Sequence, residues 1–349
     1  MERFGWRVAS TVGEAASAAS VTLAEAMTKP SERSTVIKAG GIDLLDLMKE
    51  GLIAPRTLVS LRGIPGLAEI AEQSRGAVRV GSMTTLATLA GHPLIQERYT
   101  ALADAASGSA SPQIRNVATL GGNLLQRPHC WYFRSAEHHC LRKGGTHCFA
   151  IGGENRYHAI FDNRPCAIVH PSTIATVLVA LGATLELADP NGGTRRIGVE
   201  AFLVPPEGDF TRENALKARE ILTAIHLRPL GPGERMAHLK FSEKKSFDWS
   251  LADAAVVLDM SPDRQCRNAA IVLGAAAPAP YRAVAAQKAL LDRRVDEESA
   301  REAARLAVAS ATPLSSNAYK LPLFETLVRR AILAAVAGPT SRVSPGGEG

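Results

Sequence analysis

Cysteine is scarce in this chain: there are five in 349 residues. Secreted disulfide scaffolds are small and cysteine-dense, so that class is excluded. The chain also lacks an uninterrupted apolar run. Its longest, Ile174–Leu187, is broken by Thr176, Thr184 and Glu186, and it is shorter than the ~20 residues a membrane span needs. That run reads as a buried helix passing into a strand. Met1–Val12 holds Arg3 and Arg7 but no apolar core, no small-residue cleavage site and no twin-arginine pair. No secretory signal is therefore expected, and a reducing, cytoplasmic setting is the default. No internal repeat is visible. Charge is modest as well, at 21% of residues, and 40 basic against 34 acidic side chains leave +6. So diffuse a surplus does not indicate nucleic-acid binding. An apolar share of 46% rules out disorder, collagen and a coiled-coil rod. The length allows two or three domains of about 100–200 residues each.

The regular elements start with an Ala-rich helix over Glu14–Met27, stopped by Pro30. A β-α-β pattern follows: Val36–Ile37, a glycine pair, a helix through Glu50, then Thr57–Leu61. Val78–Val80 reads as a further strand, leading through Gly81-Ser82-Met83-Thr84-Thr85 into a helix to Ala90. Residues 124–167 are charged and aperiodic, as expected of an irregular insertion. A helix over Ile174–Leu181 precedes a hairpin, Thr184–Ala188 and Thr194–Ile197, turned by Asp189-Pro190-Asn191-Gly192-Gly193. Leu230-Gly231-Pro232-Gly233 reads as a linker. Beyond it come strands at Met236–Ser242, Ala252–Leu258 and Ala269–Leu273. Helices follow at Arg282–Asp292, Glu297–Ala311 and Leu323–Ala337, and a Gly/Pro/Ser-rich tail ends the chain.

Two glycine pairs stand at turns, Gly40-Gly41 and Gly121-Gly122. Paired glycines remove the Cβ atoms that would keep a phosphate from backbone N–H groups. Asp43, Thr119 and Asn123 flank them and can hydrogen-bond a pyrophosphate or ribose. Two such loops suit a dinucleotide, although tight turning alone also explains paired glycines. Neither loop is a Walker loop or a G-x-G-x-x-G.

Four of the five cysteines, Cys130, Cys140, Cys148 and Cys166, are bunched, and Cys266 stands apart. His129, His138, His139, His147, His158 and His170 lie in or beside the bunch. The spacing, C-x9-C-x7-C-x17-C, has no C-x2–4-C knuckle of the kind structural zinc sites use. Four spread thiolates fit the larger iron–sulfur cluster. Zinc, disulfides and a solvated basic loop with incidental cysteines are the alternatives. Six basic and three acidic residues lie between Arg127 and His170, giving +3, half of the chain's surplus. Those cations would offset an anionic four-thiolate cluster.

On these residues the chain resembles the FAD-binding subunits of the xanthine dehydrogenase/aldehyde oxidase group of molybdenum hydroxylases. Lys38-Ala39-Gly40-Gly41-Ile42-Asp43-Leu44 is similar to the family's first FAD loop. Gly81-Ser82-Met83-Thr84-Thr85 resembles its G-A-x-T-T turn. Gln113-Ile114-Arg115-Asn116-Val117-Ala118-Thr119-Leu120-Gly121-Gly122-Asn123-Leu124 is similar to the second FAD loop and is the most specific match. Lys240, followed by Ser246-Phe247-Asp248, falls where the family places a lysine near the flavin. Leu273-Gly274, Ala277-Pro278-Ala279-Pro280-Tyr281-Arg282 and Asn317-Ala318-Tyr319-Lys320 resemble the carbon monoxide dehydrogenase flavoprotein C-terminal domain. The family's P-S-D helix start is Pro171-Ser172-Thr173 here, so Thr173 replaces an Asp that commonly meets the ribityl side of the flavin. Thr keeps a hydroxyl, and FAD retention is still expected.

The implied fold is α+β. A two-subdomain FAD-binding domain of the vanillyl-alcohol-oxidase/PCMH type covers 1–230 and carries an iron–sulfur insertion at 124–167. A C-terminal domain at 234–338, with a three-stranded sheet and helices, precedes a flexible tail at 339–349. The implied FAD contacts are Val36, Ile37, Lys38, Ala39, Gly40, Gly41, Ile42, Asp43, Ser82, Thr84, Thr119, Gly121, Gly122, Asn123, Thr173 and Lys240. The implied 4Fe-4S ligands are Cys130, Cys140, Cys148 and Cys166. A cysteine-bearing insertion resembles two subgroups, the periplasmic-type bacterial aldehyde oxidoreductases and the 4-hydroxybenzoyl-CoA reductase β subunit. Arg127-x-x-Cys130-x-Tyr132-Phe133-Arg134 and Ala150-Ile151-Gly152-Gly153-x-Asn155-Arg156 favour the first.

The resemblance implies one subunit of a heterotrimer, with a molybdenum-cofactor large subunit and a 2Fe-2S small subunit as partners. FAD here would pass electrons to an external acceptor, and no catalytic residue is expected on this chain. A xanthine dehydrogenase-like enzyme is an alternative complex. Two readings from other classes are a zinc-stapled nucleotide-binding scaffold module and a self-sufficient flavin oxidase. Location would be cytoplasmic, or periplasmic if a signal-bearing partner exports the complex.

Overall fold

The computed structural model describes residues 1–29, 33–203, 209–244 and 247–338. Pro30, Ser246 and the tail 339–349 lie outside the described residues. Three sheets are present among them. The first is parallel, with β1 (Gly5–Val8), β2 (Thr35–Lys38) and β3 (Thr57–Ser60) in the order β1-β3-β2. β2, the helix Ile42–Lys49 and β3 form the expected β-α-β unit. Strand β1 carried no sequence signal because all four of its residues are exposed, so it shows no inward alternation.

The expected helix over Glu14–Met27 is two helices, Val12–Ala18 and Leu23–Thr28. The break lies at Thr22, which caps the second helix reciprocally with Glu25. The signature Thr22-Leu23-Ala24-Glu25 is a capping box, and it starts a new helix even within an Ala-rich run.

The second sheet holds β4 (Ile70–Glu72), β5 (Val78–Gly81), β6 (Thr184–Ala188), β7 (Thr194–Gly198) and β8 (Ile221–Leu227). Its order is β4-β5-β8-β6-β7 and every pairing is antiparallel. Asp189 Oδ1 accepts from Asn191 N and Gly193 N at 2.8 and 3.0 Å, which sets the β6–β7 turn. The helix Thr173–Ala180 is buried along its whole length, as the unbroken apolar character of that run requires.

The third sheet contains β9 (Glu234–Phe241), β10 (Ala252–Met260), β11 (Cys266–Gly274) and β12 (Tyr281–Arg282), in the order β12-β11-β10-β9. Three long strands are thus joined by a two-residue edge strand. Tyr281 and Arg282 pair with Leu273 and Val272, so the helix expected from Arg282 begins at Val284. Ala254, Val256 and Leu258 pack toward the C-terminal helices, whereas Ala255 and Val257 join the core around Leu178 and Ile225. Burial on both faces makes β10 a continuous apolar run rather than an alternating one.

The insertion is irregular, with short helical turns at Trp131–Arg134 and Phe149–Gly152, and it is clamped onto the C-terminal unit. Ile160 N donates to Ala276 O at 2.8 Å. Asn317 Nδ2 donates to the carbonyls of His158 and Ala159, both at 3.1 Å. Lys320 Nζ donates to the carbonyls of Ala275, His158 and Tyr157 at 2.7, 3.1 and 3.4 Å.

His170 follows the insertion and is buried. Its backbone N donates to Ala277 O at 2.9 Å, and its Nδ1 accepts from Ser172 N at 3.3 Å. Burial, followed by the charge of Arg142, pulls its pKa down to about 4. An unfolded histidine titrates near 6.5. Between those values the unfolded chain binds more protons, so stability is complete above pH 6.5 and is lost as pH falls toward 4. Acidification across that window is expected to remove up to about 3 kcal/mol through His170 alone. Urea unfolding at a series of pH values checks this. His170→Gln should flatten the slope, and an unchanged slope contradicts the assignment.

Candidate functional site

A cavity of about 570 Å³ opens between the three sheets, within the size range of small-molecule and cofactor sites. All but two of the expected flavin residues line it, namely Val36, Ile37, Ala39, Gly40, Gly41, Ile42, Asp43, Ser82, Thr119, Gly121, Gly122, Asn123, Thr173 and Lys240. Lys38 and Thr84 are the exceptions. Lys38 Nζ donates to the carbonyls of Ala39 and Gly40 at 3.3 and 3.2 Å, bracing the first loop from outside the cavity wall. Thr84 is buried beside the second loop, where its carbonyl accepts from Leu120 N at 2.9 Å.

The glycines are needed where the loops touch. A Cβ at Gly40 would lie 2.2 Å from the Val117 carbonyl oxygen, on the chain entering the second loop. A Cβ at Gly121 would lie 2.9 Å from that of Ser82. Gly41 has φ +92° and caps the helix Ile42–Lys49 with no side-chain hydrogen bond. The first-turn N–H groups of that helix therefore lack intrahelical partners. Ser82 Oγ lies in the wall, buried and without a hydrogen-bond partner. A dinucleotide would satisfy these donors, so the residues present fit FAD.

Other expected side chains are already engaged. Thr119 Oγ1 accepts from Gly122 N at 3.1 Å, and Asn123 Oδ1 accepts from Ser172 Oγ at 2.5 Å. Thr173 Oγ1 and Ser109 Oγ share a hydrogen bond of 2.8 Å. Lys240 Nζ donates to the carbonyls of Asp248 and Gly108 at 2.7 and 3.1 Å, and burial lowers its pKa. Asp43 is held by Arg134 Nη2 at 2.5 Å and accepts from Arg127 N at 2.9 Å. Instead of facing the cavity unpaired, it ties the first loop to the insertion.

Sequence reasoning missed His129, Arg127, Glu213 and Trp249 in the same wall. His129 stacks on Trp249 with ring centroids 3.9 Å apart, and burial pulls its pKa down to about 3. These residues come from segments without a glycine signature. The rare-residue bunch pointed to His129 and the insertion's signature to Arg127, but nothing pointed to Glu213 or Trp249.

Cys130, Cys140, Cys148 and Cys166 line a second, small cavity with Arg142 and His158, and none is in a disulfide. His158 Nε2 lies 3.2 Å from Cys130 Sγ, and Arg142 Nε donates to Cys166 Sγ at 3.3 Å. Backbone N–H groups of Phe133 and Tyr132 reach Cys130, and those of Ala167, Ala150 and Ile151 reach Cys148. Burial pushes the Cys130 thiol up to about 11. Cys148 is pushed down to about 5 by the Cys166 thiol hydrogen-bonding to it, and that contact and burial push Cys166 up. Among the described residues, no three His, Cys, Asp or Glu side chains meet as a formed metal-binding group. Cys266 is buried far along the chain in β11.

Comparison with known families matches residues 2–229 to the FAD binding domain in molybdopterin dehydrogenase. The chain belongs to that family. Residues 237–335 match the CO dehydrogenase flavoprotein C-terminal domain. The aldehyde oxidoreductase FAD-binding subunit PaoB of Escherichia coli K12 is 33% identical over 82% of this chain and 86% of its own length. The carbon monoxide dehydrogenase medium chain of Hydrogenophaga pseudoflava is 28% identical over 86% and 88%. A solved carbon monoxide dehydrogenase from Hydrogenophaga pseudoflava, lacking the Mo-pyranopterin moiety of the molybdenum cofactor, superposes with a TM-score of 0.71 at 27% identity. That match covers 96% of this chain and 98% of the other. This member of the family is thus the FAD-binding, electron-transferring subunit of a molybdenum hydroxylase. Its α+β fold is the expected one, a FAD-binding region followed by a flavoprotein-type C-terminal region. No helix among the described residues is long and apolar enough to cross a membrane.

Proposed function

We propose that this chain is the FAD- and 4Fe-4S-binding subunit of an aldehyde oxidoreductase-like heterotrimer. Its partners would be a molybdenum-cofactor large subunit and a 2Fe-2S small subunit. The chain divides into a FAD-binding unit at 1–230 and a C-terminal unit at 234–338. Bound FAD supplies two-electron storage and transfer to an external acceptor. The glycine loops hold the dinucleotide, Ser82 and Thr173 offer hydroxyls, and Lys240 supplies a positive charge fixed by two carbonyls.

One observation carries the cluster assignment. Four thiols, none within a short knuckle of the next, converge on one small cavity and meet N–H and guanidinium donors there. Hydrogen bonds to sulfur and nearby cations are what an anionic iron–sulfur centre needs. Cys130 and His129 are neighbours in the chain, yet one lines the thiol cavity and the other the flavin cavity. The protein therefore separates the two sites by a single residue step of backbone.

Metal analysis and a visible spectrum of the purified protein test this. The expected result is about one FAD per chain with about four irons and matching sulfide. Zinc without iron contradicts the cluster, and absence of flavin contradicts the whole reading. The isolated chain is expected to be inactive on aldehydes.

A further inference from the structure

Two buried arginines of the insertion share one buried carboxylate. Arg127 Nε lies 2.9 Å from Glu213 Oε2, and Arg142 Nη1 lies 3.0 Å from Glu213 Oε1. All three residues are at most 5% exposed. Arg127 and Glu213 line the flavin cavity, whereas Arg142 lines the thiol cavity and donates to Cys166 Sγ at 3.3 Å.

Two guanidinium groups against one carboxylate leave a buried positive charge unmatched. Asp43 does not neutralise it, because its carboxylate is held by Arg134 at 2.5 Å. Arg127 is firmly placed. Its backbone N donates to Asp43, its Nη2 donates to Thr211 O at 2.9 Å, and its guanidinium covers the Phe133 ring at 5.0 Å. Yet its Nη1 is buried without a hydrogen-bond partner, and its Nε, although ion-paired with Glu213, makes no hydrogen bond either. Buried charged donors are rarely left so, because desolvation without a partner is costly. A cation in a cofactor cavity with a spare N–H calls for an anionic acceptor.

We propose that Arg127 donates to an anionic oxygen of bound FAD, and that Glu213 and Arg142 are positioning residues coupling this contact to Cys166. The inference rests on the reading that the first cavity takes FAD and the second a cluster. Glu213 has one oxygen on each arginine, so a shift of Arg142 moves the carboxylate and with it Arg127. Such coupling between two sites is reciprocal.

The test titrates FAD into flavin-stripped full-length chain and reads flavin fluorescence. Arg127→Met is expected to weaken FAD about tenfold, in the range a lost charged contact gives. Cys166→Ser is expected to weaken FAD about fivefold in the otherwise unaltered chain. In the Glu213→Gln background the same change should do less than about twofold, because the bridge is already cut. Equal losses in both backgrounds, or no loss in the unaltered one, overturn the coupling. Unchanged affinity in Arg127→Met overturns the FAD contact. If Cys166→Ser does not fold, iron-loaded and iron-chelated forms of the unaltered chain and of the Glu213→Gln variant serve for the same comparison, with the same expected pattern. Iron analysis of the unaltered chain separates the two levels. Absence of iron there refutes the cluster, while the Cys166→Ser comparison, which needs only the thiol, still decides the bridge.

Discussion

Gly40→Ala is expected to cost the chain its flavin, with FAD affinity falling at least about a hundredfold, or about 3 kcal/mol. The added Cβ would sit 2.2 Å from Val117 O, 3.1 Å from the carbonyl carbon of Val117 and 3.3 Å from Ala118 Cα. All three are backbone atoms, so no side-chain rotation relieves the clash. The Val117–Ala118 segment enters the second glycine loop, and Ala118 O accepts from Leu86 N at 2.9 Å. One loop must therefore move away from the other, and the cavity between them changes shape. Gly91→Ala is the matched control, since a Cβ there meets nothing within 4 Å and alanine favours a helix over glycine. Flavin content after gel filtration, with thermal unfolding of both variants, checks this. Full retention of FAD in Gly40→Ala contradicts the assignment of these loops to the cofactor.

The second large effect is at Lys320. Lys320→Met should destabilise the chain by about 3 kcal/mol and loosen the cysteine-bearing insertion. Its side chain is fully buried and its Nζ meets three carbonyls, of Ala275, His158 and Tyr157. An ammonium has three hydrogens, so the match is complete when the group is charged. Burial pulls its pKa down to about 7 while Asp253 pulls it up, so the comparison belongs at about pH 6, where the amine is charged. Methionine has similar length but no donor; His158 O keeps Asn317 Nδ2, while the Ala275 and Tyr157 carbonyls lose the lysine donor at roughly 1–3 kcal/mol each. Relief of the buried ammonium's desolvation offsets part of that loss. Urea unfolding gives the stability change, and limited proteolysis within 135–160 reads the release of the insertion. Equal midpoints and equal cleavage contradict the clamp.

These two positions show differently how legible the chain was. Gly40 stood out because paired glycines at a strand-to-helix turn are a local signal with a local cause. Lys320 belonged to a recognisable motif, Asn317-Ala318-Tyr319-Lys320, but nothing local says that its amine closes on His158. The break in the N-terminal helix was missed, although Thr22 and Glu25 spell a capping box that marks it. β1 was not legible, because none of its residues faces a core. Asp43 was read as a FAD contact of the first loop, whereas its carboxylate goes to Arg134, 91 residues away and out of reach of any local signal.

Sequence alone determined the kind of protein this is. The glycine loops and the C-terminal motifs each encode their meaning within a few residues, because backbone approach and turn chemistry are short-range requirements. Tertiary structure decided which groups share a cavity. Glu213 comes from a segment with no motif, yet it lies between Arg127 and Arg142 and links the flavin wall to Cys166. The scarcity of cysteine marked a special insertion, and the fold placed its thiols beside the dinucleotide cavity. Buried charge must be matched by whatever the folded chain brings near, and that proximity is not written in spacing.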